Sequence, residues 1–152
     1  DLTGMELANA SLLDEATAAA ETMLMFWNSR ARADVKAGRN KFFISNTLFP
    51  QTIDVIAGRA YNLGIQLVQD DPTTFEGEDD FFGAIVQYPD KNGRIDDLGG
   101  FISRMQAKDI KVGVAADIMA LVLLQSPGSL GADVVFGSSQ RFGVPMGFGE
   151  PG

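Results

Sequence analysis

Short runs rich in Val, Ile and Phe alternate along this chain with longer stretches whose apolar residues recur every third or fourth position. The short runs at 42–45, 65–68, 82–87, 111–115 and 133–136 predict buried strands. The longer stretches predict helices. The first opens where Ser11 is followed by Asp14 in a capping-box pattern, and its apolar face takes in Leu12, Ala16, Ala19, Ala20, Met23 and Phe26 or Trp27. Arg30, Arg32 and Lys36 suit the negative pole of that helix, and Gly38 can stop it. A second helix begins on Pro50, buries Ile53, Ile56, Ala57 and Ala60, and ends at Gly64. A third is capped by Asp96 and buries Leu98, Phe101 or Ile102, and Met105. Residues 118–124 lead into a short helical turn at Ser126-Pro127-Gly128. Strand and helix alternate, which predicts a mainly parallel α/β sheet with helices on both faces, formed by residues 1–152 as one segment.

In a parallel sheet every strand's carboxyl end lies along the same edge, where ligands collect. That edge gathers Ser45-Asn46, Gln87-Tyr88, Asp117 and the group Ser138, Gln140 and Arg141, with the start of the first helix a candidate neighbour. The glycine-rich stretch from Gly137 onward lets backbone come close to a bound group, and it serves equally well as a plain turn. It contains no phosphate-loop lysine and no intact GxGxxG. The acidic connection 70–80 does not have EF-hand spacing and reads as a solvated loop.

Composition narrows the chemistry. A chain of 152 residues with 45% hydrophobic residues suffices for one domain core. A net charge of −8 argues against nucleic acid or an anionic membrane as a partner. With no cysteine, thiol catalysis, disulfides and thiolate metal sites are excluded. With no histidine, the commonest general base and the commonest metal ligand are missing too. No metal site and no catalytic residue is expected, and no apolar run reaches the length of a membrane span. The chain opens on Asp1 and closes on Gly152 after a glycine-rich turn, so it reads as an internal piece of a longer polypeptide.

Several phrases then stand out in order: Asp1-Leu2-Thr3-Gly4-Met5-Glu6-Leu7-Ala8-Asn9-Ala10-Ser11-Leu12-Leu13-Asp14-Glu15, Pro50-Gln51-Thr52, Gln87-Tyr88-Pro89, and Gln140-Arg141-Phe142-Gly143-Val144-Pro145-Met146-Gly147. Together they resemble the P-protein family of the glycine cleavage system, the glycine dehydrogenases (decarboxylating), over nearly the whole chain. The resemblance implies the large domain of a fold-type I enzyme dependent on pyridoxal phosphate. It implies a parent that decarboxylates glycine at that cofactor and passes the aminomethyl group to the lipoyl arm of the H-protein. The implied partners are the catalytic half or subunit of the P-protein and the H-protein. The implied setting is the bacterial cytoplasm, or the mitochondrial matrix in a eukaryote.

Pyridoxal phosphate needs a lysine for the Schiff base, an acid for the pyridine nitrogen and donors for the phosphate. The family's active half places a His-Lys pair after its last strand, whereas Gln140-Arg141 stands here and matches the cofactor-free half. A guanidinium stays protonated and cannot form the imine. Asp14 and Glu15 put negative charge where a phosphate dianion would sit. Val114 stands where the active half has its aspartate, with Asp117 just beyond it. Asp117 is therefore either a pyridinium partner or a turn residue. Arg141 either anchors an internal carboxylate or binds an anion in a vestigial pocket. No cofactor is expected on this chain, and Asn46, Asp117, Ser138, Gln140 and Arg141 are the candidates for what remains of a pocket. Two further departures are Phe49, where the family has histidine, and Gly149-Glu150-Pro151-Gly152, where it continues Gly-Gly-Pro-His. Two other readings stay open: a stand-alone doubly wound domain holding a small anion at Arg141, and an enzyme working with carboxylates such as Asp14 and Asp117.

Overall fold

Central strands buried on both faces, with side chains directed to one side or the other, set the architecture. The computed structural model describes residues 1–145. Its strands are β1 (Lys41–Ser45), β2 (Gln66–Asp70), β3 (Phe81–Tyr88), β4 (Lys111–Ala116) and β5 (Val134–Phe136). All pair in parallel, in the order β2-β1-β3-β4-β5. The helices are α1 (Glu15–Asn28), the short α2 (Arg32–Lys36), α3 (Pro50–Leu63) and α4 (Leu98–Gln106). Phe42 and Ile44 of β1, Phe82 and Ile85 of β3 and Ala115 of β4 pack with α1 and α3. Their alternates Phe43, Ala84, Val86, Val112 and Val114 pack with α4. Helices thus cover both faces of a parallel sheet, as the alternation predicts.

Two glycines bring α1 close to the sheet. A Cβ on Gly113 would lie 2.8 Å from Thr22 Cγ2, and one on Gly83 would lie 2.9 Å from a ring carbon of Phe26. Ala19, Ala20, Thr22, Met23 and Phe26 form the buried stripe of α1 that uses this room. At the opposite, amino edge of the sheet, the buried Arg39 donates from Nε to the carbonyl of Phe81 and from Nη2 to the carbonyls of Lys108 (2.7 Å) and Asp109 (2.9 Å). It ties the start of β3 to the α4–β4 turn.

Several expectations are corrected. The first helix is capped by Asp14, whose Oδ1 accepts from Thr17 N at 2.7 Å, so Ser11 lies outside it and Leu12 is exposed. The helix stops at Asn28, and Ser29 caps it with its N–H on the Met25 carbonyl and its hydroxyl on the Phe26 carbonyl. Arg32 and Lys36 belong to the separate α2, which Gly38 closes at φ 72°. Arg30 instead lies over the Trp27 ring, 3.2 Å from its centroid. In α3 the buried face is Thr52, Ile56 and Ala60, while Ala57 is exposed. Asp97, not Asp96, caps α4 by accepting from Gly100 N at 2.9 Å. Asp96 is held by Arg94 at 2.8 Å. The helical turn expected at 126–128 falls earlier, at Ala120–Val122, and a hydrogen-bonded turn occupies 127–131. β5 is half-buried rather than buried, since among the described residues it pairs only with β4.

Candidate functional site

The ends of β4 and β5 meet closely. A Cβ on Gly137 would collide with the carbonyl oxygen of Ala116, so only glycine lets the chain leave β5 here. Ser138 then caps a single 3₁₀ turn, Ser139–Phe142, its Oγ accepting from Gln140 N at 3.2 Å. Gly143, at φ 93°, ends that turn with its N–H on the Gln140 carbonyl at 2.9 Å. This short coil presents Arg141 towards the end of β4.

Arg141 Nη2 lies 3.4 Å from Asp117 Oδ2. The other oxygen of Asp117 accepts from Met119 N at 2.9 Å, closing the turn after β4. The start of α1 completes the group, because Glu15 lies near enough to Asp117 to feel its charge. Burial first, and that charge second, hold the Glu15 carboxyl above its ordinary value. The Arg141 guanidinium therefore pairs with Asp117, which in turn lies near Glu15 at the start of α1, where Asp14 caps the helix. Beside this group an open groove of about 870 Å³ runs between residues 3–12, α1 and β5.

Of the residues singled out in the sequence, Asp117, Ser138, Gln140 and Arg141 come together. Asn46 does not. Its N–H donates to the Asp70 carbonyl at 2.9 Å and its own carbonyl accepts from Lys91 Nζ at 2.9 Å, which ties it to β2 and the turn after β3. Met146, Gly147 and the Gly149-Glu150-Pro151-Gly152 ending lie outside the described residues. Gln87 has a role that its type did not reveal: its side-chain oxygen accepts from Phe49 N at 3.1 Å and holds the β1–α3 turn against β3. A polar residue in an otherwise apolar strand was the available signal.

The chain's lysines are elsewhere. Lys41 pairs with Asp80 at 2.8 Å, Lys108 donates to the Gly77 carbonyl, Lys111 pairs with Asp133 and Lys36 lies in α2. Lys91 is bound to Asn46. The residues present at the end of β5 do not fit pyridoxal phosphate, since a guanidinium stands where an amine is needed and acids stand where a phosphate would need donors.

The family model described as "Glycine cleavage system P-protein" matches residues 1–152. The chain is 51% identical over 151 residues to a glycine dehydrogenase (decarboxylating) of Flavobacterium johnsoniae, covering 99% of this chain and 16% of the relative. It is 54% identical over 151 residues to the one of Dechloromonas aromatica, covering 99% of this chain and 15% of that relative. The chain thus spans only about a sixth of the length of these relatives. Among solved structures, an inhibitor-bound glycine decarboxylase (P-protein) of the glycine cleavage system superposes with a TM-score of 0.86 at 31% identity, over 99% of this chain and 34% of that one. The metB structure from Corynebacterium glutamicum shares the fold, with a TM-score of 0.69 at 19% identity over 91% of this chain and 35% of that one. A parallel α/β segment, with its Gln-Arg pair after the last strand, belongs to the glycine cleavage system P-protein family.

Proposed function

We propose that residues 1–152 are part of the cofactor-free half of a glycine dehydrogenase (decarboxylating) and act there as scaffold and as interface with the catalytic half. The parent decarboxylates glycine at pyridoxal phosphate held by its other half and passes the aminomethyl group to the lipoyl arm of the H-protein. The observation that carries this reading is the Arg141–Asp117 pair at 3.4 Å, at the position where the family's active half has its His-Lys pair. The relative lengths support a two-half parent. The chain covers 34% of the solved P-protein chain and 16% of the Flavobacterium relative, so the relative is about twice as long. The bacterial relatives support a cytoplasmic setting. No helix among the described residues is long and apolar enough to cross a membrane.

On this reading the chain's own groups do three things. Gly137 and the 3₁₀ turn after it position Arg141, Arg141 and Asp117 neutralise one another, and Glu15 and Asp14 keep phosphate away from the start of α1. The cofactor supplies electron withdrawal to glycine when bound to the other half. The test is borohydride reduction of the full-length parent loaded with pyridoxal phosphate, followed by peptide mapping. The label is expected on a lysine outside residues 1–152. A label on Lys36, Lys41, Lys91, Lys108 or Lys111 sinks the proposal.

A further inference from the structure

A second, half-open cavity lies on the other face of the sheet, bordered by the ends of β1 and β3, the loop after β2 and the first turns of α4. Its volume is about 240 Å³. Val86, Leu98 and Phe101 supply apolar wall, and three polar side chains join them: Gln87, Tyr88 and Arg104. Tyr88 is 6% exposed, and its hydroxyl, which opens onto the cavity and solvent, makes no hydrogen bond to another described residue. Burial holds that hydroxyl above its ordinary pKa, so it stays a donor at neutral pH. Arg104 Nε is buried and unpartnered as well, with the Glu76 carboxylate no nearer than 4.0 Å. The guanidinium is held by its Nη2, which donates to the Pro72 carbonyl at 3.0 Å. Among the described residues only the side-chain oxygen of Gln87 is engaged, by Phe49 N, and its amide nitrogen has no acceptor.

The unmet demand is therefore for acceptors. The carboxylates on the rim do not meet it, since Asp96 is taken by Arg94 at 2.8 Å and Asp97 by Gly100 N at 2.9 Å. With Glu76 beside Arg104, these acids outnumber the nearby guanidinium groups, which disfavours a ligand carrying its own negative charge. A buried donor without an acceptor is costly, and a ligand that supplies one recovers that cost. We propose that this cavity binds a small uncharged molecule with a carbonyl or carboxamide head, directed at Tyr88, Arg104 and Gln87, and a flat apolar body set against Phe101 and Val86.

Benzamide is the probe, with benzoate as its charged counterpart, each titrated into the full-length parent protein by ligand-observed NMR. Benzamide is expected to bind saturably with Kd at or below about 1 mM, as a small, efficient ligand in a half-open site with polar anchors can. Tyr88→Phe is expected to weaken it about three- to tenfold, the range for one lost hydrogen bond. Thr73→Trp is expected to abolish binding by closing the mouth, and since Thr73 is exposed in the loop after β2 it leaves the core untouched. Thermal melts identify a variant that has lost its fold, and Thr73→Trp then decides the matter alone. Benzoate binding as tightly as benzamide overturns the uncharged ligand class. No saturable binding, as when another segment of the parent fills the cavity, overturns the site, as does benzamide affinity unchanged by Thr73→Trp.

Discussion

Asp90, in the turn after β3, is buried, and the backbone N–H groups of Asn92 and Arg94 both donate to its Oδ1 at 2.8 Å. Burial alone would raise its carboxyl, but those donors outweigh it and the group lies below its ordinary value. The unfolded chain therefore binds the proton more readily than the folded one. Asp90 contributes stability that is present above its unfolded pKa and is lost as pH falls through the folded one. Asp90→Ala is expected to cost about 1–3 kcal/mol in urea melts at neutral pH, because two backbone N–H groups lose their charged acceptor. The acid limb of its stability profile should also be shallower, and an equally steep limb would contradict this. Glu15 tilts the other way: its raised pKa means that stability falls as pH rises from the unfolded value through the folded one. Neither effect was legible from residue type. Asp90 sits in a run that reads as a plain turn, and Glu15 meets Asp117 only because β4 ends beneath the start of α1.

At the scale of elements, the order and type of strands and helices were readable because each strand is an apolar run broken by polar turns. The errors cluster where neighbours are chemically alike. Asp96 and Asp97 are both competent caps, and only the backbone direction, which brings Gly100 N to Asp97, chooses between them. Ala57 and Thr52 both fit a helical stripe, and the side of α3 that faces α1 and β2 takes in Thr52 and leaves Ala57 exposed. The spacing of α1 above the sheet depends on Gly113 and Gly83, which in the sequence are merely glycines inside strands. Gly113→Ala is expected to cost about 1–3 kcal/mol by overpacking against Thr22 Cγ2. Thr22→Ala removes that methyl, so the double variant Gly113→Ala with Thr22→Ala should be more stable than the sum of the single costs implies. Strict additivity in chemical denaturation would show that α1 does not rest on this contact.

At the scale of the whole molecule, the half-buried β5 and Leu7 (89% exposed) leave apolar surface at the groove between the first residues, α1 and β5, and Leu13 (77%) and Leu123 (90%) are exposed as well. In the proposed parent the rest of the chain covers such surface. Residues 1–152 expressed alone are expected to self-associate, with replacement of those three leucines by serine reducing the effect. Sedimentation showing a monomer at every concentration would count against this. The sheet edge that gathers the site was legible from alternation alone, and Arg141 from the family phrase; the 240 Å³ cavity was not, since it joins residues from four separate stretches of chain. The pairing of Arg141 with Asp117 also bears on whether the proposed cofactor-free half could acquire chemistry. A single exchange of arginine for lysine would put an amine at the end of β5, but beside Asp117 that amine would be held as an ammonium. Nucleophilicity would appear only after that acid was replaced as well, so a route to catalysis takes more than one step and gives no activity at the first.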